Sequence, residues 1–173
     1  MPTSLYQATV PQFLQVLPAV AGLVEKARAH CAEKSLPDEA LTDLRLAPDM
    51  WPFAKQIMAA CQHSAGAVAG VQAGQTGPDL NPAPASFAAL AAAVSDAITS
   101  LQAVTPDQID SIADKETAFI FGERRMPFSV EDYLLSFAQP NFYFHASMAY
   151  ALLRNQGLEV GKRDFMGTPR MKG

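Results

Sequence analysis

The sequence predicts an all-α four-helix bundle with a small β-hairpin inserted before the last helix. Three observations carry that prediction. Apolar residues recur at helical intervals through four long segments. One short stretch departs from that period: in "KETAFIFGERRMPFS", Thr117, Phe119 and Phe121 alternate with Ala118 and Ile120, and Gly122-Glu123 turns the chain. Long connections join the helices, and no internal repeat or low-complexity boundary divides the 173 residues, so 1–173 is read as one domain.

The first helix is expected from Ser4 to about Lys34, with Leu5, Phe13, Leu14, Leu17, Val20, Leu23, Val24 and Ala27 on the helical period. A proline inside a helix costs about 3 kcal/mol, so Pro11 and Pro18 predict a kink or a broken turn near each. One short helical turn is expected between Pro37 and Leu44. Asp49 is the expected cap of a second helix, Trp51 to Ala73, with Pro52 in its first turn. Gly66 and Gly70 share a face of that helix, which predicts the close approach of another helix there.

The stretch "GQTGPDLNPAPAS" reads as a surface loop. Ser86 caps the alanine-rich third helix, "FAALAAAVSDAITSLQAV". Thr105-Pro106-Asp107 opens a short helical segment to about Ile112. The hairpin pairs 116–121 with 124–128 and carries Glu123, Arg124 and Arg125 at its tip. Ser129 and Asp132 form a capping box for the last helix, Val130 to about Gln156. Pro140 is expected to kink that helix, and Gly157 to follow its end. The tail "LEVGKRDFMGTPRMKG" reads as irregular chain draped over the bundle.

Composition narrows the function. Hydrophobic residues make up 49% and charged residues only 17%, a balance that predicts a covered apolar surface and hence a homodimer. The net charge is −4, and Arg124-Arg125 is the one basic cluster, so nucleic-acid binding is not expected. Charges or prolines interrupt the apolar runs before the roughly 18 residues of a membrane span, so no membrane is expected as a partner. The N-terminus lacks the basic and apolar regions of a secretion signal. Cys31 and Cys61 show no CxxC spacing and read as buried free thiols in a reducing compartment, which points to the cytoplasm. Walker-type GxxxxGK, strand-flanked GxGxxG and GxSxG motifs are all missing.

The remaining chemistry rests on histidine. His30 lies in the charged end of the first helix and reads as solvated. His63 lies on the second helix, within about 20° of Gln56 around the helix axis. In "PNFYFHASMAYALLR", Asn141, His145, Met148 and Leu152 form one face of the last helix. Bundle cores commonly hold metals between facing helices, and a histidine from each of two helices could share one. Two nitrogens are too few for a catalytic zinc, which takes three protein ligands, and Asn141 offers only an amide oxygen. The other reading makes His145 a core residue hydrogen-bonded to a buried polar partner. Tyr143, Tyr150 and Arg154 share a face with Ser147. They either hold an anion, or pack at the rim with Arg154 on carbonyl groups. Lys162, Arg163 and Asp164 either dock the tail by ion pairs or close over a pocket.

The strings "LAPDMWPFAKQIMAAC", "SVEDYLLSFAQPNFYFHASMAYALLRNQG" and "GKRDFMG" together resemble a bacterial domain-of-unknown-function branch of the DinB/YfiT-like superfamily, over nearly the whole chain. The resemblance implies an up-down-down-up four-helix bundle, often dimeric. It implies a divalent metal, zinc or nickel, on three histidines: one on the second helix and two, four apart, on the last helix before a pattern like "LLR". It also implies that some relatives are thiol-dependent transferases using small bacterial thiols. By that pattern His145 stands at the second histidine of the last helix and Asn141 where the first belongs. His63 or Gln56 stands at the second-helix position.

Two functions are therefore expected. The first is a small-molecule pocket between the second and last helices with a degenerate metal site on His63, His145 and Asn141, flanked by Gln56, Tyr143 and Met148. If catalytic, it belongs to the thiol-dependent transferases or metal-assisted hydrolases that the resemblance implies. The alternative is a non-catalytic dimeric interaction protein that has lost the metal.

Overall fold

Ser4 accepts a hydrogen bond from the Gln7 N–H at 3.3 Å, and the chain is helical from Leu5 to Lys34 (α1). The computed structural model describes residues 3–172. Pro11 and Pro18 lie inside α1 without breaking it, contrary to expectation. Both sit off the buried stripe of Val10, Phe13, Leu17, Val20, Leu23, Val24 and Ala27. Each large apolar side chain on that stripe contributes about 1.5–3 kcal/mol by burial, which outweighs two lost helical hydrogen bonds. Residues 5–24 carry no charge, so α1 is long and apolar enough, by length and composition, to cross a membrane. This corrects the expectation that every apolar run is too short. In the fold 44% of the most apolar window of α1 is buried, and its stripe packs against the other helices. Ser35, at φ 53°, ends the helix, with the Leu36 N–H on the Cys31 carbonyl at 2.8 Å.

A short helix, α2 (Glu39–Thr42), follows, and Asp38 just before it accepts from the Phe87 N–H at 3.0 Å, tying it to the start of α4 (Phe87–Gln102). The second long helix, α3, spans 53–73. It is regular over Phe53–Cys61, makes a π-helical turn at Gln62–Gly66 and is regular again over Ala67–Ala73. Asp49 does not cap it. The chain folds back between Leu44 and Phe53, so the first N–H of α3, from Phe53, meets the Leu44 carbonyl at 2.9 Å, and Pro52 occupies the cap position. Ser86 caps α4 through the Ala89 N–H, as expected. Helix α5 (Pro106–Asp110) ends on Asp110, whose carboxylate accepts from the Tyr6 N–H at 2.8 Å and holds the first turn of α1.

Strands β1 (Glu116–Phe121) and β2 (Arg124–Ser129) form the expected antiparallel hairpin, in register from Glu116↔Ser129 to Phe121↔Arg124. Gly122 supplies the positive φ of its two-residue turn. Thr76, just beyond α3, bridges to β1: its N–H donates to the Ala118 carbonyl, and its carbonyl accepts from the Ile120 N–H, both at 2.8 Å. The face carrying Gly70 receives this loop, not another helix. A Cβ on Gly70 would lie 2.2 Å from Thr76 Cγ2, and one on Gly66 would lie 2.7 Å from Gln62 Oε1.

The last long helix, α6, spans 130–155. Ser129 caps Val130–Asp132, a π-helical turn follows at Tyr133–Ala138, and Gln139–Asn155 is regular. The wide turn ends just before Pro140, the residue with no N–H to give, which is how the helix absorbs the expected kink. The two main helix pairings are α1 with α4 and α3 with α6. Phe13 of α1 meets Phe142 of α6 edge-on at 4.9 Å in the core. The tail forms a further short helix, α7 (Lys162–Met166), against α1. Lys26 pairs with Asp164 at 2.8 Å, and Gln15 Nε2 donates to the Met166 carbonyl at 3.0 Å. The Lys162-Arg163-Asp164 string thus docks the tail. Arg154 reaches the Leu158 carbonyl at 3.4 Å, and Arg125 pairs with Glu116 across the hairpin at 2.6 Å.

Candidate functional site

Helices α3 and α6 pack together, and each carries one π-helical turn. Such a turn adds a residue to the helical count and re-aims the side chains around it. The two wide turns meet: His63 on one lies edge-on to Phe137 on the other, with ring centroids 5.9 Å apart. Beside them is a cavity of about 210 Å³. On α6 its wall is the stripe Phe137, Asn141 and His145, four residues apart. Trp51 and, from α3, Lys55, Met58, Ala59, Gln62 and His63 form the facing wall. Phe119 of β1 and Pro78-Asp79 of the loop close it.

His145 is 6% exposed. Its Nδ1 lies 2.7 Å from Gln56 Oε1, and Gln56 Nε2 donates to the Trp51 carbonyl at 3.1 Å. A carbonyl only accepts, so the Gln56 amide has one orientation. Its oxygen faces the imidazole, Nδ1 carries the proton, and Nε2 keeps its lone pair. Trp51 stacks on this ring at 5.3 Å between centroids, and His63 stacks on it at 5.6 Å, at interplanar angles of 12° and 10°.

The other polar groups in the wall are held by the same logic. Asn141 Nδ2 donates to the Phe137 carbonyl at 2.7 Å, which leaves Oδ1 as the acceptor. Gln62 Nε2 donates to the Gly77 carbonyl at 3.0 Å, which leaves Oε1. Lys55 Nζ donates to the Asp79 and Asn81 carbonyls at 2.7 and 3.0 Å and sits 5.8 Å from the centre of the Trp51 ring.

Burial lowers the His63 pKa to about 4. Burial, and then the neighbouring His63, lowers that of His145 to about 4. Both rings are therefore neutral near pH 7. His63 Nδ1 is buried with no partner among the described residues. An orphaned acceptor costs less than an orphaned N–H, so the proton of His63 sits on Nε2.

His63, Asn141 and His145 thus come together in one cavity wall. Gln56 stands behind His145, where it walls a second recess with Met50, Trp51 and Phe144. Tyr143 and Met148 do not line the cavity. Tyr143 is about 200° around α6 from Asn141 and packs on Phe142 at 5.4 Å. Met148 lies beyond the end of the Phe137–Asn141–His145 stripe. Trp51, Lys55, Gln62, Phe119 and Phe137 belong to the site without having been singled out from sequence. The four-residue spacing from Phe137 to Asn141 is the signal that reaches one of them.

The family described as Domain of unknown function (DUF1993) matches residues 5–166. The chain belongs to this family. The DUF1993 fold here is similar to the crystal structure of a DinB family member from Shewanella denitrificans, with a TM-score of 0.81 and 25% identity over 98% of this chain and 95% of that one. The DinB-like bundle expected from the sequence is the fold observed. No curated protein matches the chain.

The three-histidine metal that the resemblance implies fits this DUF1993 site poorly. Among the described residues no group of three His, Cys, Asp or Glu side chains could hold a metal ion. The donors present are two neutral imidazoles and the Asn141 amide oxygen, and the imidazole rings stack face to face. Cys61 on the same helix supplies no thiolate, because burial pushes its thiol up to about 12.

Proposed function

We propose that this DUF1993 protein is a small-molecule-binding protein whose ligand enters the cavity between α3 and α6 and is held there without a metal. The observation that carries the reading is the bonded series Trp51–Gln56–His145, which fixes one histidine tautomer and reserves its Nε2 for a group outside the protein. Buried hydrogen-bonded side chains of this kind set orientation in ligand sites lined mainly by apolar groups. Binding is favoured over proton transfer. A nitrogen protonating near 4 is a weak general base at neutral pH, and burial keeps the Cys61 thiol of α3 protonated.

The test is metal content by mass spectrometry on tag-free protein never exposed to a nickel column, with a thermal-shift screen of small aromatic fragments on the same sample. The expected result is far less than one metal per chain, unchanged in His145→Ala, together with fragments that raise the melting temperature of the wild type and not of Trp51→Ala. Near-stoichiometric metal that disappears in His145→Ala overturns the metal-free reading.

A second reading is the homodimeric interaction protein. It is supported by Trp51, Phe144 and Phe121, which are 48%, 53% and 55% exposed around the site. Sedimentation at micromolar concentration, with Trp51→Ala and Phe144→Ser for comparison, separates it from a monomeric binder.

A further inference from the structure

Resting on that pocket reading, we infer that the ligand is an uncharged, planar molecule bearing N–H donors beside an acceptor, of the aromatic-amide class. Three acceptors in the wall are set by their own bonds to main-chain carbonyls or to a fixed amide: Asn141 Oδ1, Gln62 Oε1 and His145 Nε2. Among the described residues none of the three atoms has a partner, and none is among the buried unpaired atoms, so each keeps some exposure on a side chain that lines the cavity. A ligand must bring N–H groups to satisfy them, because a polar group buried unpaired on either side forfeits its hydration.

The wall matches no net ligand charge, since it holds one ammonium, Lys55, and one carboxylate, Asp79. An anion meets three lone pairs, and the Lys55 ammonium is engaged by the Asp79 and Asn81 carbonyls. A cation meets the Lys55 ammonium, which already lies over the Trp51 ring, the face a ligand cation would seek. Among the described residues of the wall the carboxylate is Asp79, whose Oδ1 accepts from the Asn81 N–H and side-chain amide at 2.9 and 2.8 Å. Shape points the same way. Phe119 and Phe137 give flat apolar walls, and about 210 Å³ holds roughly seven waters at about 30 Å³ each, the scale of a single ring with one substituent. His63, with its proton on Nε2, supplies the complementary donor for a ligand carbonyl.

Four isosteric probes test this at pH 7.5: benzamide, acetophenone (carbonyl without N–H), benzoate and benzamidinium. Binding is followed on ¹⁵N-labelled protein through the Trp51 indole and His145 signals. Benzamide is expected to bind about tenfold tighter than each of the others, the worth of one to two hydrogen bonds. Asn141→Leu is expected to bring it down to the level of acetophenone while leaving acetophenone unchanged. Should that variant fold poorly, Asn141→Asp serves: its carboxylate is expected to turn the preference toward benzamidinium. Benzoate, benzamidinium or acetophenone binding the wild type at these signals as tightly as benzamide overturns the ligand class and leaves the pocket reading standing. If none of the four moves either signal, the pocket reading falls and this inference with it.

Discussion

Gln56 and His145 stand 89 residues apart in sequence, on α3 and α6, and meet at 2.7 Å through an amide oxygen and an imidazole nitrogen. Both are almost wholly buried. The contact joins the two helices that form the cavity and sets the proton position of the one histidine facing two recesses. Removing either partner leaves the other polar group in a low-dielectric interior, where it has no water to turn to.

Gln56→Leu is therefore expected to cost about 1–3 kcal/mol, the penalty of an unpaired buried donor, seen as a lower urea midpoint with an unchanged slope. The side-chain ¹⁵N signals of His145 are expected to move from one tautomer to a mixture. Gln56→Glu acts differently. A carboxylate at 2.7 Å favours the imidazolium, so the His145 titration rises from about 4. An unshifted titration in Gln56→Glu means that the two side chains do not touch in solution.

Stability should fall as the medium is acidified from neutral, in a defined window. His63 and His145 titrate at about 4 in the folded chain against an ordinary 6.5. Between about pH 6.5 and 4 the unfolded chain binds protons that the folded chain refuses, so stability drops with falling pH. Below about 4 the folded rings are protonated too, and this contribution stops growing. The loss is on the order of 3 kcal/mol per histidine over the window. Urea unfolding at pH 7.5, 6, 5 and 4.5 checks it. The double variant His63→Phe, His145→Phe should show a flatter profile than the wild type, and parallel profiles refute the assignment.

Much of the fold was legible because its signals are local. Ser86 and Ser129 each receive the N–H three residues on, and Gly122 turns the hairpin where the alternation of β1 stops. The site was less legible because two π-helical turns lie in it. Nothing in "QHSAG" or "YLLSFA" distinguishes the wider turn from an ordinary one. Tertiary contacts go with it: the Gln62 amide reaches Gly77, and Gly66 leaves room for the Gln62 side chain. A count of 100° per residue placed Gln56 and His63 side by side. In the fold both meet His145: Gln56 supports it from behind, and His63 stacks on its ring. The docking of Thr76 against Gly70 was hidden for a similar reason, since a small residue reports that something comes close and not what it is.

That docking gives a paired prediction. Gly70→Ala adds a methyl 2.2 Å from Thr76 Cγ2 and 3.1 Å from the Gln75 carbonyl. The loop that Thr76 stitches to β1 must shift, at a cost of about 1–3 kcal/mol, despite the better helix propensity of alanine. Gly22→Ala on α1 meets nothing within 4 Å and is solvent-exposed. It should stabilise by up to about 1 kcal/mol. Thermal melts of the two variants should therefore move in opposite directions from the wild type, and a stabilised Gly70→Ala would show that the Thr76 bridge is dispensable.

Asn141→His asks whether the metal is missing for want of one ligand. Asn141 and His145 are one helical turn apart on the cavity face of α6, and His63 stacks on the same His145. The substitution brings the imidazoles in that wall to three, the number of protein ligands a catalytic zinc takes. It removes the Asn141 bond to the Phe137 carbonyl, a loss of about 1 kcal/mol without metal. With zinc at a hundred times its dissociation constant, the gain is about 2.7 kcal/mol. The variant is thus expected to melt slightly below the wild type in EDTA and above it in zinc, retaining close to one zinc per chain after desalting. Retention of no zinc would mean that the stacked His63 and His145 rings do not reorient toward a common point, and that the geometry of the pair, beyond the identity of residue 141, keeps the metal out.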